Sequence, residues 1–238
     1  MGDEQPVADD TVVPPATPLM EALTGQWMPA DYCDCLARER SHYACKDTVA
    51  EVFVMYVDRH GADSLVWTYI TTHEAGPIAM LAHDAATDAF MHRPTADDHI
   101  GYEVVDIRSA GKDAMDFRSR PDAPPRRFVR VADAERMING TLLAGSYVLD
   151  DGGVVHFHAD GHVTGLDAVK QYSVLVDLTE GLEDRDIVFL YTDDLDWGTH
   201  AYHFKHDGDE LLLYPMRATE EPYVFEMQEM KYRMRAQR

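Results

Sequence analysis

The chain has little cysteine, little lysine and no long apolar run, and each shortage excludes something. Cys33, Cys35 and Cys45 are its only cysteines. Their C-x-C-x9-C spacing offers no fourth sulfur ligand nearby, which argues against a zinc site closed by cysteines alone. One disulfide from Cys45 to Cys33 or Cys35 would suit an oxidising compartment, and three reduced thiols would suit a cytoplasmic one. Both readings stand at this point. Lysine occurs only at positions 46, 112, 170, 205 and 231, so arginine carries most of the positive charge. Acidic residues number 43 against 21 basic ones, for a net charge of −22. Nucleic-acid binding needs clustered Lys and Arg to neutralise phosphates, and no such cluster is visible. An anionic membrane surface would repel the chain as well. The acidity fits solubility and weak self-association, and it also occurs in salt-adapted proteins. With no apolar run of 18 residues or more, no transmembrane segment is expected. No apolar stretch follows Met1, so no signal peptide is expected either. The sequence lacks G-x-S-x-G, G-x-x-x-x-G-K-[ST], G-x-G-x-x-G and H-E-x-x-H, which removes the common hydrolase, nucleotide-binding and zinc-protease routes.

What is present begins with an acidic segment rich in Pro and Thr. Residues 1–18, opening "GDEQPVADDTVVPPATP" after Met1, lack periodicity and predict a disordered tether. This segment resembles the spacer behind the lipidated cysteine of bacterial lipoproteins, with Met1 standing where that cysteine would be. The alternative is an ordinary floppy N-terminus. Localisation therefore leans toward export, to a bacterial envelope or periplasm, with the cytoplasm as the alternative.

From residue 19 onward, short strand-like runs alternate with turn signals. Candidate strands include "TVAEVFVMYV", "SLVWTYITT", "GYEVVDIRS" and "RRFVRV", then a second series from "LLAGSYVLD" and "GVVHFHA" to "YVFEMQEMKYRMR". Asp151-Gly152, Asp160-Gly161 and Asp207-Gly208 mark hairpins. "PADYCDCLARER" reads as a short helix or a loop across a barrel mouth, and "ADAERMING" (132–140) as a polar segment forming one helical turn. No long amphipathic helix separates the strands, which excludes crossover connections and a parallel sheet. The predicted fold class is all-β, with antiparallel up-and-down barrel architecture. "LTGQW" (23–27) and "LAGSY" (143–147) share the form L-small-G-x-aromatic, and Gly25 and Gly145 lie 120 positions apart. Two tandem β units follow, a first over 19–132 and a second, eight-stranded, over 133–238.

"GQW" opening a barrel strand resembles the G-x-W signature of the lipocalins and the wider calycin group. In that family the tryptophan closes the barrel base and a basic residue of the last strand covers its ring. The resemblance implies that Trp27 plays this part, with Arg127 or Arg130 as partner by cation–π packing. In the second unit Tyr147 takes the tryptophan's place, with Arg233 or Arg235 as partner. It further implies a ligand-binding barrel, or a barrel enzyme on a lipocalin-like fold.

Candidate site residues come from the strand faces. Trp67, Tyr69 and Thr71 share one face, with Tyr56 nearby in the chain; His200, Tyr202, Phe204 and His206 share another. Trp67, Tyr69, Tyr56, His200 and Tyr202 are the expected ligand-lining residues; no catalytic residue stands out. The inward set also includes Val52, Val54 and Met91 in the first unit, and Val174, Val176, Phe225 and Met227 in the second. "VVHFHADGH" (154–162) carries three histidines. A two-residue Asp160-Gly161 turn would pair Ala159 with His162 and leave His162 on the face opposite His156 and His158, so no metal site is expected. His73 beside Glu74 and His83 beside Asp84 read as solvated loop residues. Asp193, Asp194 and Asp196 lack the calcium-loop pattern. No cofactor is expected. The leading functional expectation is a small apolar-ligand-binding protein, tethered at an envelope if it is exported. Its alternatives are an isomerase- or cyclase-type barrel enzyme enclosing a small hydrophobic substrate, and a protein-binding envelope module without a ligand.

Overall fold

The computed structural model describes residues 17–49, 52–61, 63–71, 75–76, 78–92, 102, 104–177, 185–192, 201–219 and 225–237. Of these, 51% are in strands and 17% in helices, and the sheets are antiparallel throughout. The expected tether lies almost wholly outside the described residues. The ordered part opens with helix α1 (Pro18–Leu23), whose first turn is fixed by Pro18 and by the Thr17 hydroxyl, which accepts from the Met20 amide at 3.3 Å.

The first barrel closes on itself in sequence order. Its strands are β1 (Gly25–Pro29), β2 (Val54–His60), β3 (Ser64–Ile70), β4 (Ala79–Asp84), β5 (Ala89–His92), β6 (Val105–Gly111), β7 (Ala114–Arg118) and β8 (Arg126–Val131). β8 returns to β1, pairing Trp27 with Arg130. Between β1 and β2 lie helix α2 (Ala30–Glu39) and a 3-10 turn, Tyr43–Thr48. Helix α3 (Ala134–Leu142) then leads into β9 (Gly145–Leu149), β10 (Val154–Phe157), β11 (Val163–Thr164), β12 (Gln171–Val174), β13 (Ile187–Tyr191), β14 (Ala201–Asp207), β15 (Glu210–Ala218), β16 (Phe225–Met227) and β17 (Tyr232–Ala236).

In this second sheet consecutive strands pair as hairpins, β16 sits aside on β15, and β17 returns to β9. The seam between β11 and β12 is spanned by two hydrogen bonds: Val163 N donates to Lys170 O at 2.9 Å, and Tyr172 N to Gly161 O at 2.7 Å. Both units are thus closed or nearly closed up-and-down barrels.

Three local expectations change. "ADAERMING" is more than one turn: α3 is capped by Asp133, whose carboxylate accepts from the Arg136 amide at 2.8 Å. Ala134, Ile138 and Leu142, four apart, form its buried stripe. Asp151-Gly152 and Asp160-Gly161 do mark hairpins, but each loop has three residues, with glycine at φ +87° and +85°. His158 therefore faces His162, which puts all three histidines of "VVHFHADGH" on the outer face, where His156 is half-buried and the others are exposed. They engage separate partners: His156 Nδ1 lies 2.8 Å from the Ser146 hydroxyl, and His162 Nδ1 lies 3.1 Å from Asp160. The third change is strand parity. Met55 and Val57 point into the first barrel with Tyr69 and Trp67, so Val54 and Tyr56 point outward; the chain bends at Phe53 and reverses the alternation that begins at Val52. Likewise Phe90, not Met91, is buried, and Met227 is 49% exposed.

Candidate functional site at the junction of the two barrels

Each barrel is closed at one end by the same device. The Trp27 indole N–H donates to Leu23 O at 2.9 Å, and the Tyr147 hydroxyl donates to Leu143 O at 3.0 Å. Each aromatic thus ties its strand back four residues, to the chain at the end of the helix before it. Gly25 and Gly145 make this path possible at φ +140° and +157°. At Gly25 a side chain would also collide with Arg130. The Arg130 guanidinium lies 4.3 Å from the Trp27 ring centroid and donates to Thr24 O and Ala22 O. In the second barrel Arg233 and Arg235 pair with Glu210 instead of covering Tyr147. The cation beside Tyr147 is Arg40, at the end of α2, which reaches Leu142 O at 3.5 Å. His206 Nε2 donates to the same carbonyl at 2.6 Å.

Trp67 and Tyr69 belong to the buried core of the first barrel. Trp67 is fully buried, with ring centroids of Tyr69 at 4.9 Å, Phe117 at 5.9 Å and Tyr102 at 6.0 Å. Its indole N–H is buried and has no partner. Tyr202 lies inside the second barrel, where its hydroxyl accepts from Lys231 at 3.3 Å. His200 lies outside the described residues, as do His73, Glu74, Asp193, Asp194 and Asp196. His83 contacts Asp88 at 3.2 Å on the surface. Among the described residues no group of three or more His, Cys, Asp or Glu is placed to hold a metal ion.

Tyr56 is where the structure adds something. Its outward face meets α3 and the second barrel across a cavity of about 280 Å³. Ordinary ligand sites measure roughly 300–1,000 Å³. Phe53, Val54 and Ile70 line it from the first unit, Ile138 from α3, and Val174 and Val176 from the chain leaving β12. Three polar side chains share this lining: Tyr56, Glu135 and Asn139. Asn139 is only 1% exposed, and neither its amide nitrogen nor its oxygen has a partner. An unpaired buried polar group costs about 1–3 kcal/mol, so such groups are rare without a reason. Burial raises the Tyr56 hydroxyl above its ordinary pKa, and the nearby Asp133 and Glu135 push it further the same way. Glu135 is the one charged side chain on the lining, which carries no cation.

Its walls are held rigidly. Cys35 and Cys45 are disulfide-bonded, joining α2 to the 3-10 turn, while Cys33 remains free. Burial pushes the Cys33 thiol up to about 11, with Asp34 and Asp31 adding to the shift. Buried His42 accepts from the Tyr32 hydroxyl at Nδ1, 2.8 Å, and donates from Nε2 to Val176 O at 2.9 Å. Val176 lines the cavity, so this relay fixes its wall from the first unit. One hydrophobic core runs through the junction, uniting Tyr32, Leu36 and Phe53 with Ile138, Phe157, Tyr172 and Phe204.

The sequence reading missed Asn139 because its polar segment was read as a single helical turn, with no buried face assigned. The usable signal was the Ala134–Ile138–Leu142 stripe behind a capping Asp133, which places Asn139 next to a buried face. No protein family, no curated protein and no solved structure matches this chain.

Proposed function

We propose that the protein binds a small, largely apolar, uncharged molecule in the junction cavity, with Asn139 as its polar anchor. The observation that carries this reading is the amide of Asn139, buried and unpartnered in an otherwise mostly apolar cavity. Such an amide donates one hydrogen bond and accepts another, which suits an amide, lactam or hydroxy-ketone edge. The Glu135 carboxylate, with no cation on the same lining, disfavours a carboxylate there. The Trp27–Arg130 packing supports kinship of plan with the lipocalin-like barrels, although the cavity lies between barrels and not within one. The Cys35–Cys45 disulfide supports an exported protein.

A second reading draws on the convergence of Tyr56, Glu135 and Asn139 on one cavity, which also suits an isomerase-type enzyme. Native mass spectrometry of protein purified without denaturation should show added mass from a co-purified ligand. Titration with the neutral dye Nile red should give saturable binding to the wild type, little to Ile138→Trp, which fills the cavity, and weakened binding to Asn139→Leu. Equal binding by Ile138→Trp, or no binding by any form, would overturn the proposal. Chemical change of the recovered ligand on incubation would favour the enzyme.

A further inference from the structure

A second cavity, of about 130 Å³, has the opposite electrostatic character. It lies at the end of the first barrel away from the Trp27 cap: β8 runs from Arg126, paired with Phe117 of β7, to Val131, paired with Gln26 of β1. Its floor is apolar, formed by Val52 and Phe117. Arg118, Arg120 and Arg126 line it together with Ser119, and no Asp or Glu does. In a chain with 43 acidic residues, three guanidiniums without a lining carboxylate are a marked local reversal of charge.

Two of these arginines are held from behind. Arg118 donates through Nη2 to Asp106, a carboxylate only 1% exposed, and through Nη1 to Pro121 O at 3.4 Å. Arg108 binds the same carboxylate through two contacts of 3.0 Å, so Asp106 is shared between two cations and the trio keeps a net positive charge. Arg126 Nη2 donates to both oxygens of Asp31, at 2.9 and 3.0 Å, and to Thr48 O. A guanidinium offers five N–H donors in a fixed fork, so these bonds leave others unused. One of them, Arg126 Nε, is buried and has no partner. Among the described residues the Arg120 side chain has no hydrogen-bond or ion-pair partner.

We propose that this cavity is a binding site for a small oxyanion, of the size of phosphate or a carboxylate group. The Arg118 and Arg126 donors are pre-positioned, so binding has only the Arg120 side chain left to order. The volume admits the anionic group and little else, while the floor of Val52 and Phe117 tolerates a short apolar substituent. The anion therefore comes either free or as the exposed head of a larger molecule that reaches in from solvent. With a net charge of −22, the rest of the surface repels anions, so one saturable site should stand out from the background.

The test uses the whole protein at constant ionic strength in sodium chloride. Inorganic phosphate, acetate and n-butyl phosphate are each titrated and followed by calorimetry and by the arginine Nε–H signals in NMR. The expected result is one-to-one binding of at least one of them, weakened tenfold or more in Arg120→Gln and unchanged in Arg127→Gln, whose partner is Asp116 outside the cavity. Arg120 is exposed, so its replacement leaves the fold intact, as circular dichroism should verify. Binding of inorganic phosphate identifies a free-anion site; binding of n-butyl phosphate alone identifies a head-group site. Absence of saturable binding by all three anions, or equal affinity in Arg120→Gln, would overturn the inference.

Discussion

The two barrels are closed by one plan carried out with different parts. In the first, a tryptophan is covered by an arginine from the barrel's own last strand, Arg130 over Trp27 at 4.3 Å. In the second, a tyrosine replaces the tryptophan, and the arginine beside it, Arg40, comes from the first unit. His206 completes the second closure from within. The phenol is smaller than the indole and leaves less ring to cover. A repeated motif, then, does not make two independent domains. The second barrel depends on α2 for its cap and shares one core with it, whereas the first barrel's cap is internal.

Trp27→Ala should show the largest effect, a loss of about 3–5 kcal/mol as for other buried aromatic truncations. Urea unfolding measures it, and a loss below about 1 kcal/mol would remove the closure argument. Next is reduction of Cys35–Cys45, which closes a short loop over a separation of 10 residues and should contribute about 2–3 kcal/mol on the chain-entropy account. Because α2 carries Arg40, reduction should speed hydrogen exchange in β9 and β17 more than in β3 and β7. Equal acceleration in both barrels would break the asymmetry. Tyr147→Phe should cost about 1–2 kcal/mol, since it strands the buried Leu143 carbonyl while keeping the ring.

The smallest effect expected is a pH dependence located at the junction. Burial lowers the pKa of both His42 and His206 in the folded protein; at His206 the positive charge of Arg40 adds to the shift. A folded value below the ordinary 6.5 means that the unfolded chain takes up protons first as the pH falls. This part of the stability is complete above pH 6.5 and is lost as the pH drops from there through the folded values. Melting temperature against pH should bend downward below 6.5, and His206→Gln should flatten part of the bend. An unchanged profile in that variant would place the effect at His42 alone.

The antiparallel barrels and the tandem plan were legible because each rests on local signals: Asp-Gly turns, period-two alternation and an L-small-G-x-aromatic pattern. The cover on Trp27 followed only from the lipocalin resemblance, which left Arg127 and Arg130 as alternatives; the structure selects Arg130. The pairing of Cys45 with Cys35 in place of Cys33 was not legible, because both spacings close a loop of similar length. Face assignments failed where one backbone irregularity intervened. The bend at Phe53 turned Tyr56 from the barrel interior to the junction, and one extra loop residue before His162 turned that side chain to the outside. The cavity itself was hidden for a different reason: its lining comes from β2, α3 and β12, far apart in the chain, and no short-range pattern reports that they meet.

The placement of Arg40 also has a consequence for synthesis in the cell. Translation proceeds at about 5–20 residues per second, so the stretch from Val131 to Ala236 emerges over roughly 5–20 seconds. If the first barrel closes as soon as its strands are available, it holds its closing arginine during that interval while Tyr32, Leu36 and Phe53 have not yet met the residues that cover them. A nascent chain of this protein therefore passes through a stage with an adhesive apolar face beside a finished barrel. That face is both the template on which the second half closes and the surface that a chaperone would have to shield.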